Sequence, residues 1–170
     1  MASADIKKKA KEILIMNDMY LVDREYQILS LSKNPESFQI LLELLASGDV
    51  LHVQEAARVL ALKGDFRYIE DILNIRKHLP SRGGLRDYRK SIDDTILILE
   101  ERKKGHECNC GIYSKTSFHP RYEEKIGFIK IINEVVNENN TVYSCICNKC
   151  DRKWQVEEDL TYHYPIFNWH

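Results

Sequence analysis

The chain has 170 residues, 44% of them apolar and 30% charged, and its 25 Lys and Arg against 26 Asp and Glu leave a formal net charge of -1. That balance excludes a whole-molecule field drawing the chain to nucleic acid or to an anionic membrane, so either partner would have to be met by a local patch. The length suits one domain, but all five cysteines fall after residue 107, which points to two tightly joined parts, one of them metal-stapled.

The first twenty residues, MASADIKKKAKEILIMNDMY, hold one short apolar run at 13–16 that is followed at once by Asn17 and Asp18. An export signal needs a longer apolar stretch and a cleavage site, and a membrane span needs about 20 apolar residues. The expectation is a cytoplasmic chain without a membrane partner, whose reduced, clustered thiols bind metal rather than pair as disulfides. The apolar face Ile6, Ala10, Ile13, Leu14 and Met16 reads as the inward side of a first helix.

A repeat follows. Residues 27–45 (QILSLSKNPESFQILLELL) lie over residues 58–76 (RVLALKGDFRYIEDILNIR) at an offset of 31, matching Ile28 with Val59, Leu29 with Leu60, Leu31 with Leu62, Phe38 with Ile69, Leu41 with Ile72 and Leu42 with Leu73. Periods of about 20–50 residues signal stacked supersecondary units. Apolar residues recur at three and four, with helix punctuation between them: Asn34 before Pro35, and Gly48-Asp49 and Gly64-Asp65 as left-handed stops followed by N-caps. Helices are expected near 4–17, 21–32, 35–47, 50–63, 66–79 and 87–104, as three antiparallel pairs.

The segment NPESFQILLELLASGDVLHVQEAARVLALKGDFRYIEDIL, with the small pair Ala56-Ala57 where helix meets helix, resembles the short HEAT repeats of bacterial proteins. The resemblance covers about the first 104 residues and implies an α-solenoid that binds a macromolecule on a concave or edge surface. In the last pair the loop at 80–86 (PSRGGLR) is longer than its counterpart. Arg76, Lys77, Arg82, Arg86, Arg89 and Lys90 gather around it, as a phosphate or acidic-protein contact would require. Asp87, Asp93 and Asp94 follow closely, so the cluster also reads as a solvated helix face.

After Gly105 the character changes. The stretch IGFIKIINEVVNENNTVYSCIC forms two β-branched and aromatic runs around Asn137-Glu138-Asn139-Asn140, the pattern of a hairpin. The second run leads into Cys147-Asn148-Lys149-Cys150, from which Lys153-Trp154-Gln155-Val156 leaves as a third strand. This strand, knuckle, strand arrangement is similar to a zinc ribbon. Cys147 and Cys150 have the spacing that turns two thiolates toward one ion, and Cys108 and Cys110, one residue apart before Gly111, form a tighter second pair. Cys145 is a substitute ligand or a small core residue, and His106 is an alternative nitrogen ligand in place of Cys108 or Cys110.

Four thiolates would close the coordination sphere of Zn2+ and leave no position for water. A cysteine nucleophile would need an activating base, for which His119 and His163 are the candidates, but no local signature supports that role. The aromatic tail, with Tyr164, Phe167 and Trp169, reads as cover for a small sheet. HEAT-like pairs followed by a ribbon ending in YHYPIFNW resemble, in style and composition, small bacterial toxin-immunity proteins, which implies a monomeric cytoplasmic binder that neutralises a cognate toxin and performs no chemistry.

The expected fold is thus α+β. Residues 1–104 form a HEAT-like α-solenoid of about three antiparallel helix pairs, and residues 105–170 form a small antiparallel, zinc-stapled sheet. The expected function is non-catalytic protein binding with a structural zinc on Cys108, Cys110, Cys147 and Cys150. Two rivals stand beside it: a nucleic-acid binder using the ribbon and the loop around Arg82, and an enzyme with zinc at an open site.

Overall fold

The computed structural model describes residues 38–80, 89–161 and 165–170. Among the described residues the chain carries five α-helices followed by a four-stranded antiparallel sheet. It divides into two compact units, Met1–Lys103 and Lys104–His170. The helices expected at 4–17 and 21–32, and Asn34 and Pro35 ahead of the third, lie outside the described residues.

In the first unit the helices are α1 (Phe38–Leu45), α2 (Val50–Lys63), α3 (Ile69–His78) and α4 (Arg89–Lys103). In α1 the sequence FQILLELL buries Phe38, Ile40, Leu41, Leu44 and Leu45, which is the three-and-four spacing of one helical face. At the start of α2 the Asp49 carboxylate accepts the His52 N–H at 3.0 Å, satisfying one of the amides that the first turn leaves without a helical partner. At its end Gly64 adopts φ 65° and donates its N–H to the Leu60 carbonyl, a left-handed stop that glycine makes without a Cβ penalty.

The helix expected over 66–79 begins instead with a 3-10 turn, Phe66–Tyr68, and becomes α-helical at Ile69. The cause is local. Asp65 accepts the Arg67 N–H from its side chain and the Tyr68 N–H from its carbonyl, which tightens the first turn to three residues. Ala56 and Ala57 are fully buried in α2, and the Thr95 hydroxyl of α4 lies 2.9 Å from the Ala57 carbonyl, so small side chains let the two backbones approach. Leu41, Leu44, Leu45, Val53, Leu60, Ile72, Ile92 and Leu99 complete one apolar core.

The second unit contains a 3-10 turn (Tyr113–Lys115), α5 (Pro120–Lys125) and the strands β1 (Ile129–Val136), β2 (Asn140–Cys147), β3 (Lys153–Asp159) and β4 (Ile166–Trp169), hydrogen-bonded in that order. The hairpin turn closes through the Asn137 N–H to the Asn140 carbonyl at 2.8 Å. Along β2 the buried residues alternate as Thr141, Tyr143, Cys145 and Cys147, and the register sets Trp154 and Val156 of β3 beside Cys145 and Tyr143. A bulge between Ile131 and Asn133 leaves Ile132 as the extra residue of β1, 61% exposed.

The aromatic tail covers the sheet by joining it. Residues 166–169 form β4, with Phe167 and Trp169 turned into the core; Tyr164 lies outside the described residues. Tyr113 stacks on Trp169 at 3.9 Å and meets Trp154 edge-on at 5.4 Å, so two aromatic residues of the sheet clasp one from the loop. Among the described residues no helix is long and apolar enough to cross a membrane.

Candidate metal centre

Two turns of the second unit bring four cysteines together. The first, Cys108-Asn109-Cys110, runs into the 3-10 turn, and the Asn109 carbonyl accepts the N–H groups of Ile112 at 3.0 Å and Tyr113 at 3.2 Å. The second links β2 to β3. There the Cys147 N–H donates to Arg152 at 2.8 Å, the Asp151 N–H donates to Cys147 at 3.1 Å, and Asp151 takes the left-handed φ of 56° that reverses the chain.

The sulfur atoms of Cys108, Cys110, Cys147 and Cys150 all lie within 4.8 Å of one another. Cys108 and Cys150 stand 3.8 Å apart, and Cys150 and Cys110 stand 3.6 Å apart. A tetrahedral ion with metal–sulfur bonds of about 2.3 Å has sulfur–sulfur edges of about 3.8 Å. The cluster therefore has the dimensions of a tetrathiolate site and is compatible with a metal such as zinc.

Each of the four sulfurs also receives one N–H. The Lys149 amide points at Cys147 at 3.4 Å, and the Trp154 indole Nε1 points at Cys110 at 3.3 Å. Backbone amides of Cys110 and Arg152 serve Cys108 and Cys150 in turn. Such donors favour the ionised sulfur. Burial works the other way at Cys108 and Cys110, raising both thiols above their ordinary range, while the Arg152 amide lowers exposed Cys150. A bound cation is the charge that would let all four ionise together.

Cys145 and His106 are not members of the group. Cys145 shares a strand face with Cys147, but the four sulfurs that lie within 4.8 Å of one another do not include it. Its side chain packs instead against the aromatic core, and burial, with Glu124 adding to it, pushes the thiol up to about 12. His106 is exposed. His119 caps α5 by accepting the Arg121 N–H at 3.2 Å and stacks on Phe167, and burial lowers its pKa.

Of the cations expected around the long loop, Arg82 and Arg86 lie outside the described residues. Arg89 donates to the Leu79 carbonyl at 2.6 Å, Lys90 reaches both carboxylate oxygens of Asp94 at 3.0 and 2.8 Å, and Arg76 forks onto Asp93. These groups are engaged within their own unit.

Several residues of the site were not singled out from sequence. The pattern of Trp154 marks a strand residue and not a sulfur partner, and no motif marks Asn109, Asn148, Tyr113 or Glu123. One signal was present: in both turns the residue after the first cysteine is Asn. Asn148 donates through Nδ2 to the carbonyls of Gly127 and Ile129, each at 3.0 Å, and Asn109 donates to Glu123 at 2.9 Å. In comparison with known proteins, no family model, no curated protein and no solved structure matches the chain.

Proposed function

We propose that the chain is a non-catalytic protein-binding module whose C-terminal unit is held together by one structural zinc on Cys108, Cys110, Cys147 and Cys150. The observation that carries this reading is the convergence of four sulfurs, each supplied with one N–H donor. Such a donor set fills a tetrahedral sphere and leaves no position for water or substrate, which is the mark of a structural rather than a catalytic ion. When bound, the ion supplies four crosslinks between turns that a small core cannot hold by itself.

Binding then falls to the protein surface. In the HEAT-like reading the helical unit is an α-solenoid that presents one face to a partner. Exposed Leu51, Phe66 and Leu73 on that unit, and Ile132, Val135 and Val136 on β1, supply apolar contact area of the kind protein interfaces use. Arg58, Arg67, Arg76, Lys90 and Arg121 pair with nearby carboxylates, so these five cations suit nucleic acid poorly. In the immunity reading the partner is a cognate toxin domain in the cytoplasm.

The test combines metal analysis with capture. Protein purified without added metal should carry one equivalent of zinc, and the tagged chain should retain one stoichiometric protein partner from its own lysate after nuclease treatment. Absence of metal with the thiols freely reactive would overturn the structural site. A nuclease-sensitive mixture lost steeply with salt would replace the protein partner with nucleic acid.

A further inference from the structure

Glu123 lies on α5, far in sequence from any cysteine, and only 2% of it is exposed. Its Oε2 accepts from Asn109 Nδ2 at 2.9 Å and from the Tyr113 hydroxyl at 2.7 Å. Asn109, fully buried, is the residue between the two cysteines of the first turn. Tyr113 is the residue whose N–H closes on the Asn109 carbonyl. One oxygen thus grips the first turn at both of its ends.

The same segment reaches the second turn. The Glu123 carbonyl accepts the Phe128 N–H at 2.9 Å, and the Phe128 carbonyl accepts the Asn148 N–H at 2.9 Å. Asn148 Nδ2 adds its bonds to Gly127 and Ile129. Residues 123–129 therefore hold the Asn of each turn, from side chain to first turn and from backbone to second. A buried carboxylate is costly unless its bonds are satisfied. Here these two bonds go to the turn that carries Cys108 and Cys110, which is a reason that packing alone does not provide.

We propose that Glu123 is the positioning residue of the metal centre, holding the Cys108-Asn109-Cys110 turn in the shape that presents both thiolates to one ion. The inference rests on the metal reading above and adds to it a single residue on which affinity depends. A spacing of one residue leaves the two sulfurs free to splay apart, and the bond from Glu123 to Asn109 removes that freedom before metal binds. Partners that orient ligands in this way typically change metal affinity by about ten- to a hundredfold when removed.

The experiment is competition of the full-length protein against a chromophoric zinc chelator, with the cobalt-substituted protein examined by its visible absorption. Glu123→Ala and Asn109→Ala should each weaken zinc by about ten- to a hundredfold, and the double variant should lose little more than Glu123→Ala, because the Glu123–Asn109 bond is already lost in each single variant. Glu123→Gln, whose amide oxygen still accepts both donors, should restore near-native affinity and the native cobalt spectrum. Should Glu123→Ala fail to fold, Asn109→Ala, which leaves the Glu123–Tyr113 bond in place, decides alone. Native affinity and spectrum in Asn109→Ala, or fully additive losses, would overturn the proposal while leaving the metal reading intact. A wild-type protein that binds neither zinc nor cobalt would overturn the metal reading itself.

Discussion

Replacing Cys147 and Cys150 together by Ser should unfold the second unit and leave the first standing. That unit spans Lys104–His170, a length at which a single core supplies about 3–5 kcal/mol. Structural zinc in small modules contributes about 10–16 kcal/mol at neutral pH. Losing half the ligands therefore removes more than the core can replace. The structure also supplies the assay, because the chain has two tryptophans and both, Trp154 and Trp169, are buried in the core beside the cysteines. Tryptophan emission reports the second unit alone, whereas among the described residues the far-ultraviolet helix signal comes mainly from α1 to α4. The expected result is red-shifted emission, no bound zinc and a persistent helical signal with its own melt. A double variant that keeps blue emission, a cooperative two-unit melt and one equivalent of zinc would refute the reasoning.

Zinc affinity should rise with pH. Burial holds Cys108 and Cys110 above the ordinary thiol range, so in the metal-free protein both carry protons at neutrality that must leave on binding; acid competes with metal, and competition titrations should show at least about two decades of affinity per pH unit, where a flat profile would remove the two thiols from the site. Cys145→Ala should keep full zinc stoichiometry and cost about 1 kcal/mol as a small buried side chain is trimmed, read by denaturant melts of the tryptophan signal. The folded thiol of Cys145 lies near 12 against an ordinary 9.0, so its neutral form favours the fold, and that stability should be complete below pH 9 and fade in alkali in wild type but not in the variant. In the helical unit, Asp49→Ala should cost about 1 kcal/mol through the lost cap on α2, seen as an earlier loss of helix signal with tryptophan emission unchanged.

Much of the local structure was legible because it is written in short-range chemistry. Asp49, Gly64 and Asp65 bracket α2 and the turn after it through bonds to residues no more than four away, and such bonds depend little on the rest of the chain. The alternation of Thr141, Tyr143, Cys145 and Cys147 marks one face of β2 for the same reason. The fourth strand and α5 were not legible. Residues 166–169 are strand-like only because β3 offers its edge, the Val156–Trp169 pairing included, and six residues beginning at Pro120 are too few to show a helical period.

The sequence by itself determined that the cysteines form two turns separated by a hairpin, since spacing within a turn fixes how far two sulfurs can stand apart. Only the tertiary structure decided which thiols meet. Cys145 and Cys147 are equally inward-facing in sequence, yet in the fold Cys147 joins the four-sulfur group while Cys145 pairs across the sheet with Trp154. Cys108 and Cys110 converge on Cys150 because Glu123 and Trp154, 13 residues or more away in the chain, hold that turn from outside. A tetrahedral site is defined by distances between segments, and those distances come into being only when the sheet closes.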